Sequence, residues 1–313
     1  MTLAAMFNHY CVSSMATSSL RSTSAASSVR APLPLRRMPL TASEKRLCTI
    51  AAVLAALAVL GALFAKELAA LTATLGLQLN AHGHTHLYAH GHPFVDARTL
   101  WGIPNAMDVL SNLPFVLLGA WGLGSVYRVR TLPTATRVSS SVFFIGFLLT
   151  CASSSFYHWA PDAWGLAVDR AGMAFAFAGV LGLAAAERVS QRAAPWMCGG
   201  VLLAALLSIG LTYAKGAIAP WAVVQFGGMA VVLWAATLRA QPGAIGVRWG
   251  VLIAIYALAK LLELGDAAVF QATQGLVSGH SLKHVAASLA ALPVIFALRH
   301  NALQFETVAA GLA

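Results

Sequence analysis

Ser154 and His158 stand four residues apart, and Asp169 follows eleven residues after that histidine. Far along the chain, His280 and His284 repeat the spacing of four. Residues four apart share one face of a helix, and two histidines so placed suit two ligands on one metal ion. His158 would complete a three-nitrogen set with a fourth position for water, the arrangement of catalytic zinc. Zinc brings the pKa of such a water from about 15.7 to about 7 and polarises a carbonyl. A carboxylate beside that water can carry its proton to a leaving group. A nearby hydroxyl can donate to the developing oxyanion. Asp169 and Ser154 have the right types for those two roles. Taken singly, each histidine also reads as an interfacial polar residue, and Ser154 as a packing or back-bonding serine. Their placement along the chain has to decide between the two.

The elements that must position them are set by composition. Hydrophobic residues make up 59% of the 313-residue chain and charged residues 10%, with a mean hydropathy of +0.75. A soluble domain is nearer half apolar and a quarter charged. That excludes an ordinary soluble domain, a disordered chain and a disulfide-stapled secreted one. Cys11, Cys48, Cys151 and Cys198 have no paired spacing, so neither a disulfide framework nor a zinc finger is indicated. Uncharged runs near twenty residues mark membrane spans. Eight are predicted, at Leu47–Ala65, Val109–Tyr127, Val138–Pro161, Asp169–Ala186, Ala193–Ala214, Gly216–Leu238, Trp249–Asp266 and Val277–Leu298. The seventh is the weakest, because Lys260, Glu263 and Asp266 interrupt it. The fold class is therefore all-α, a polytopic membrane helix bundle.

Eight spans put both ends on one side. That side collects fourteen of the twenty Lys and Arg, from Arg21, Arg30, Arg36, Arg37, Lys45 and Arg46 in the tail to Arg299 near the C-terminus. The positive-inside rule places it in the cytoplasm, so the formal charge of +10 is not read as nucleic-acid binding. The third span then runs outward to His158. The fourth opens near Asp169 from the outer side, and the eighth opens there with His280 and His284. Three helices thus bring three His, one Asp and one Ser to a common depth. Ionisable groups at membrane depth are expensive and read as a site by default.

The order of these pieces resembles the alkaline ceramidase family, within the membrane-hydrolase superfamily that includes adiponectin-receptor-like proteins. It is most similar to the phytoceramidase-type members. The resemblance rests on Ser154-x-x-x-His158, on Asp169, and on Ser278-Gly-His280-Ser-Leu-Lys-His284. It extends to Asp96-Ala-Arg98-Thr, Gly102-Ile-Pro-Asn105 and Asp108-Val-Leu-Ser111-Asn112-Leu-Pro114-Phe, covering about Asp96 to Arg299. It implies a seven-helix core, with the first span an addition. It further implies zinc on His158, His280 and His284, Ser154 and Asp169 at the reacting groups, and hydrolysis of an N-acyl sphingoid base to a fatty acid and a free amine. Animal members bind calcium through an acidic N-terminal segment. Here Asp96 and Asn105 fall near two of those positions but the other carboxylates are missing, which argues against Ca²⁺ and its need for six to eight oxygens. Asp96 would instead pair with Arg98 or fix the loop.

The domain reading is a tail over 1–46, an added span over 47–65, a non-cytoplasmic loop over 66–107, a hydrolase core over 108–299 and a C-terminal tail over 300–313. The first 43 residues lack Asp and Glu and are rich in Ser and Ala, as in a transit peptide, a disordered tail or a start placed too early. A bacterial inner membrane is the expected location, with an organelle or the endoplasmic reticulum as alternatives. His82, His84, His86, His90 and His92 make the loop a weak collector of divalent metal. Lys260 and Glu263 read as an ion pair facing the bundle interior, with Tyr256 one turn earlier. Three other functions compete with a ceramidase-like zinc amidase acting on a long-chain lipid. They are a zinc hydrolase of an ester-linked lipid, a metal transporter, and a receptor-like bundle with structural zinc.

Overall fold

The computed structural model describes residues 39–75 and 87–311 of the chain. The tail up to residue 38 and the loop histidines His82, His84 and His86 lie outside the described residues. Among those described there is no strand beyond an isolated bridge between Leu100 and Ile103, and the chain is a bundle of helices. These are α1 (Ala42–Leu63), α2 (Ala65–Thr74), α3 (Ala106–Leu110), α4 (Leu113–Arg128), α5 (Thr134–Trp159), α6 (Ala163–Arg188) and α7 (Ala193–Lys215). They continue as α8 (Ala219–Ala222), α9 (Gly228–Ala236), α10 (Trp249–Leu264), α11 (Asp266–Ala272), α12 (Gly279–Ser288) and α13 (Leu292–Gly311). A π turn over Val223–Gly227 joins α8 to α9, and a 3-10 turn over Leu289–Ala291 joins α12 to α13.

Seven of the described helices are long and apolar enough to cross a membrane. They correspond to seven of the eight predicted spans. The predicted seventh span, Trp249–Asp266, is different. It folds as the 16-residue α10, about 24 Å long at 1.5 Å per residue, shorter than the other seven but running from the Glu187 end of α6 to the start of α12, as a span between them must. Gly265 closes it, because the Asp266 carboxylate is drawn off to accept the N–H groups of Val95 at 3.1 Å and His280 at 2.8 Å. The predicted loop over 66–107 also needs correcting. It begins as helix, since Lys66 to Thr74 belong to α2. The first span starts earlier than predicted, at Ala42, because Thr41 and Glu44 form a capping box: Thr41 Oγ1 accepts from Glu44 N, and Glu44 Oε2 accepts from Thr41 N.

Helix α1 stands at the edge of the bundle, with only 11% of its most apolar stretch buried. Its start is held by Glu44, which pairs with Arg192 and accepts from Ser190 Oγ at 2.6 Å. The bundle is densest where α5 meets α6. Gly146 lies on the backbone of Ala176, and Gly179 on that of Phe143; a Cβ at either glycine would come within 2.2 Å and 2.1 Å of a backbone nitrogen. Small residues let membrane helices approach this closely. At the far end of α6, the buried Glu187 accepts from the N–H groups of Gly246 at 3.0 Å, Val247 at 3.2 Å and the Trp249 indole at 3.0 Å. That carboxylate folds the connection from α9 to α10 under the bundle.

Gly146→Leu and Gly179→Leu are expected to destabilise the protein by about 3 kcal/mol each, the upper part of the range for overpacked cores. Gly199→Leu, at a position facing open space on α7, should leave the thermal midpoint in detergent unchanged. Equal midpoints for all three would show that the seam does not hold the bundle.

Candidate functional site

Helix α6 begins at Ala163 because Asp162 caps it, accepting from Gly165 N at 2.6 Å. Asp169 therefore sits in the second turn rather than at the mouth. Three consecutive serines of α5 take separate partners, two of them at Asp169. Ser153 Oγ donates to the Asp169 carbonyl at 3.4 Å, and Ser155 Oγ donates to the Val109 carbonyl at 3.3 Å. Ser154, between them, faces the Asp169 carboxyl. His158 follows one turn later, its ring buried, and its carbonyl accepts from Asn105 Nδ2 at 2.9 Å. That bond satisfies one of the carbonyls left open at the end of α5.

Helix α12 brings the other two imidazoles. Ser278 caps it by accepting from Ser281 N at 2.9 Å, and the Ser281 hydroxyl donates to Asp108 Oδ1 at 2.8 Å. Gly279 sits so close to α10 that a Cβ there would meet the Leu262 carbonyl at 2.3 Å. Asp266 accepts the backbone N–H of His280. These contacts turn His280 and His284 toward His158. The three buried histidines each offer a ligand nitrogen within 4.8 Å of the others, and His280 Nε2 lies 3.2 Å from His158 Nε2. Nitrogens on a tetrahedral zinc at 2.0–2.1 Å stand about 3.3 Å apart, so this pair has the spacing of two ligands. Ser111 Oγ lies 2.8 Å from His284 Nδ1 and donates its own proton to the Asp108 carbonyl at 3.1 Å. The hydroxyl therefore accepts from Nδ1–H, which turns the Nε2 lone pair toward the other two rings, as an outer hydrogen bond does for metal-binding histidines.

The outer loop closes over this cluster. The Phe94 ring is buried, with its centroid 3.6 Å from that of His280 and 4.8 Å from that of His158. His92 is buried beside it, and its Nδ1 accepts from Phe94 N at 3.2 Å. On the other side the cluster opens to a cavity of 180 Å³, walled by apolar residues such as Phe115, Phe147, Met173 and Leu252. Ser154, Asp169 and His284 lie on its wall. One oxygen of Asp169 is buried without a hydrogen-bond partner.

All five residues singled out from the sequence thus meet in one place. The two calcium candidates do not join them as a cation site. Asp96 gives both carboxylate oxygens to Arg98, at 2.8 Å to Nε and 2.6 Å to Nη2, and this hydrogen bonding holds the guanidinium above the ordinary arginine value. Arg98 in turn reaches the Leu276 carbonyl at 3.0 Å, so the pair ties the loop to the approach of α12. Asn105 is spent on His158. Asp108, Ser111, Asp266 and Lys283 were not read as parts of the site. Asp108 and Ser111 enter the sequence reading only within the motif that carries the resemblance, without a role, because the second span is taken to begin at Val109 and Asp108 then lies outside it.

The fold defines an integral, multi-pass membrane protein. No family model matches the chain, no curated protein matches it, and no solved structure matches it.

Asp266→Ala is expected to lower stability by about 3 kcal/mol, since it orphans two N–H groups, and to speed hydrogen exchange at Val95 and His280 together. Faster exchange at one of them alone would mean that Asp266 does not couple the loop to α12.

Proposed function

We propose that the protein is a zinc-dependent membrane hydrolase that cleaves the amide bond of an N-acyl lipid, of which ceramide is the type implied by the resemblance. The observation that carries this reading is a cluster of three buried imidazoles, one of which, His284, lines an apolar cavity together with the Asp169 carboxyl and the Ser154 hydroxyl. The donor set suits zinc: three neutral nitrogens, one of them oriented by Ser111, and no competing thiolate among them. His158, His280 and His284 would hold the ion. When bound, it supplies Lewis acidity and an acidified water.

The chain's own groups do the rest. The cavity takes the acyl chain and excludes bulk water. Asp169 receives a proton from the attacking water and passes it to the amine as the carbon–nitrogen bond breaks. Its unpartnered oxygen faces no competing donor. Ser154 turns its hydroxyl to the carbonyl oxygen as negative charge develops there. Phe94 seals the opposite side against solvent. The products are a fatty acid and a free amine. On the arginine distribution, both termini lie in the cytoplasm and the site near the other face, in a bacterial inner membrane.

Detergent-purified protein is expected to hold about one zinc per chain, the stoichiometry of one three-histidine site. His280→Ala should lose both the metal and hydrolysis of labelled lipid amides. Asp169→Asn should keep the metal and lose turnover by about 10²-fold or more, the contribution of a general base. Ser111→Ala should weaken zinc binding by about tenfold or more. Absence of zinc in the wild type, or full turnover by His280→Ala, would end the hydrolase reading.

A further inference from the structure

The segment between Asp96 and α3 folds back on itself in a tight turn. Leu100 and Ile103 exchange both backbone hydrogen bonds, at 3.2 Å and 2.9 Å, with Trp101 and Gly102 between them. Both central residues have positive φ, 53° and 77°, the signature of a type I′ hairpin turn. Gly102 suits its place. Trp101 does not: the position before that glycine favours Asn, Asp or Gly, and a bulky residue at positive φ is an outlier. Asn105 also has positive φ, at 46°, but asparagine visits that region at little cost. Nothing in the protein compensates Trp101 for its backbone, because the residue is 80% exposed.

The turn stands beside the ends of membrane spans. Its base is closed by Ala106 N, which donates to the Arg98 carbonyl at 3.0 Å, and Ala106 opens the apolar span that runs to Arg128. Asn105 holds the His158 carbonyl in the last turn of α5. From Asn105 to Trp101 the chain reaches at most about 14 Å when fully extended, and the turn makes that shorter. Trp159 ends α5 and Trp164 lies in the first turn of α6. Both are exposed, and the Trp164 ring lies 5.8 Å from that of Tyr213 near the end of α7. Exposed Trp and Tyr at the ends of spanning helices mark the level of the lipid headgroups. Trp101 stands close to that level, carried by a loop instead of a helix.

We propose that the Leu100–Ile103 turn is a membrane-surface anchor, its Trp101 indole seated among the lipid headgroups of the leaflet at which α5 ends. An indole has an apolar body and one N–H donor, and the interface satisfies both. A strained backbone persists where the surroundings stabilise it, and here the surroundings are lipid. The anchor fixes the height of the loop that carries Asp96, Arg98 and Asn105 over the histidine cluster. It stands apart from the hydrolytic reading, since it holds whether or not the histidines take zinc.

The test uses full-length protein in phosphatidylcholine nanodiscs, wild type against Trp101→Asn. Asparagine suits the turn better than tryptophan, so the variant is expected to fold. Chain-brominated phosphatidylcholine and aqueous iodide serve as quenchers. The fluorescence that Trp101→Asn removes is expected to be the part quenched by brominated lipid and shielded from iodide. Hydrogen exchange at the Ala106 N–H should become faster in Trp101→Asn, because the loop loses its hold on the bilayer. A better turn with no anchor to lose would instead slow it. Trp101→Tyr, which keeps an interfacial ring, should return exchange toward the wild-type rate. Fluorescence quenched by iodide and not by the lipid would overturn the proposal. So would fluorescence shielded from both quenchers, the mark of a covering protein or a second copy. Unchanged or slower exchange at Ala106 in Trp101→Asn would overturn it as well.

Discussion

A polar group placed at membrane depth has no water to turn to, so its partner must come from the protein itself. In this chain that constraint organises α12 more than hydrophobic packing does. Ser278, His280, Ser281, Lys283 and His284 crowd into its first two turns, and each is answered from another element. Asp108 takes the Ser281 hydroxyl, Asp266 the His280 N–H, Glu263 the Lys283 ammonium and Ser111 the His284 ring. The helix is thereby fixed in rotation and in height, which a purely apolar face would leave free. The histidine cluster follows from that fixation.

The acids are accordingly spent with little waste. Glu187 organises a loop, Glu44 anchors a peripheral helix, Asp266 ties the outer loop to α12, and Asp96 holds Arg98 against the approach to α12. Asp169 is the acid on the cavity wall that keeps a buried oxygen without a partner. In a membrane protein such an oxygen is a cost unless something arrives to meet it. Asp108 keeps one such oxygen too, so what sets Asp169 apart is that its carboxyl stands on the cavity wall.

Much of this was legible in the sequence. Apolar runs located the seven long helices to within a few residues, because a bilayer demands a length that composition alone reports. The spacing of Ser154, His158, His280 and His284, joined to alternating topology, placed four side chains at one depth before any geometry was known. What was not legible depended on pairings between distant segments. Asp108 and Ser111 act on α12 from some 170 residues away; the motif they belong to is visible in the sequence, but what they bind is not. Hydropathy read Trp249–Asp266 as one more span, and the tertiary demand on Asp266 ends that helix earlier, at Gly265. The Lys260–Glu263 pair was visible as a spacing of three; its third member, Lys283, belongs to another helix and could be seen only in the fold.

The seam between α5 and α6 has a thermodynamic consequence of its own. Glycine has no side-chain rotamers to freeze when it is buried. Where Gly146 and Gly179 meet the opposite backbone, the two helices lock without the entropy loss that interdigitating long side chains would bring. Such a contact has no rotamers to exchange as temperature rises. The distance between Ser154 on one helix and Asp169 on the other is therefore set by main chain against main chain, and it should stay narrowly distributed under conditions that loosen side-chain packing elsewhere in the bundle.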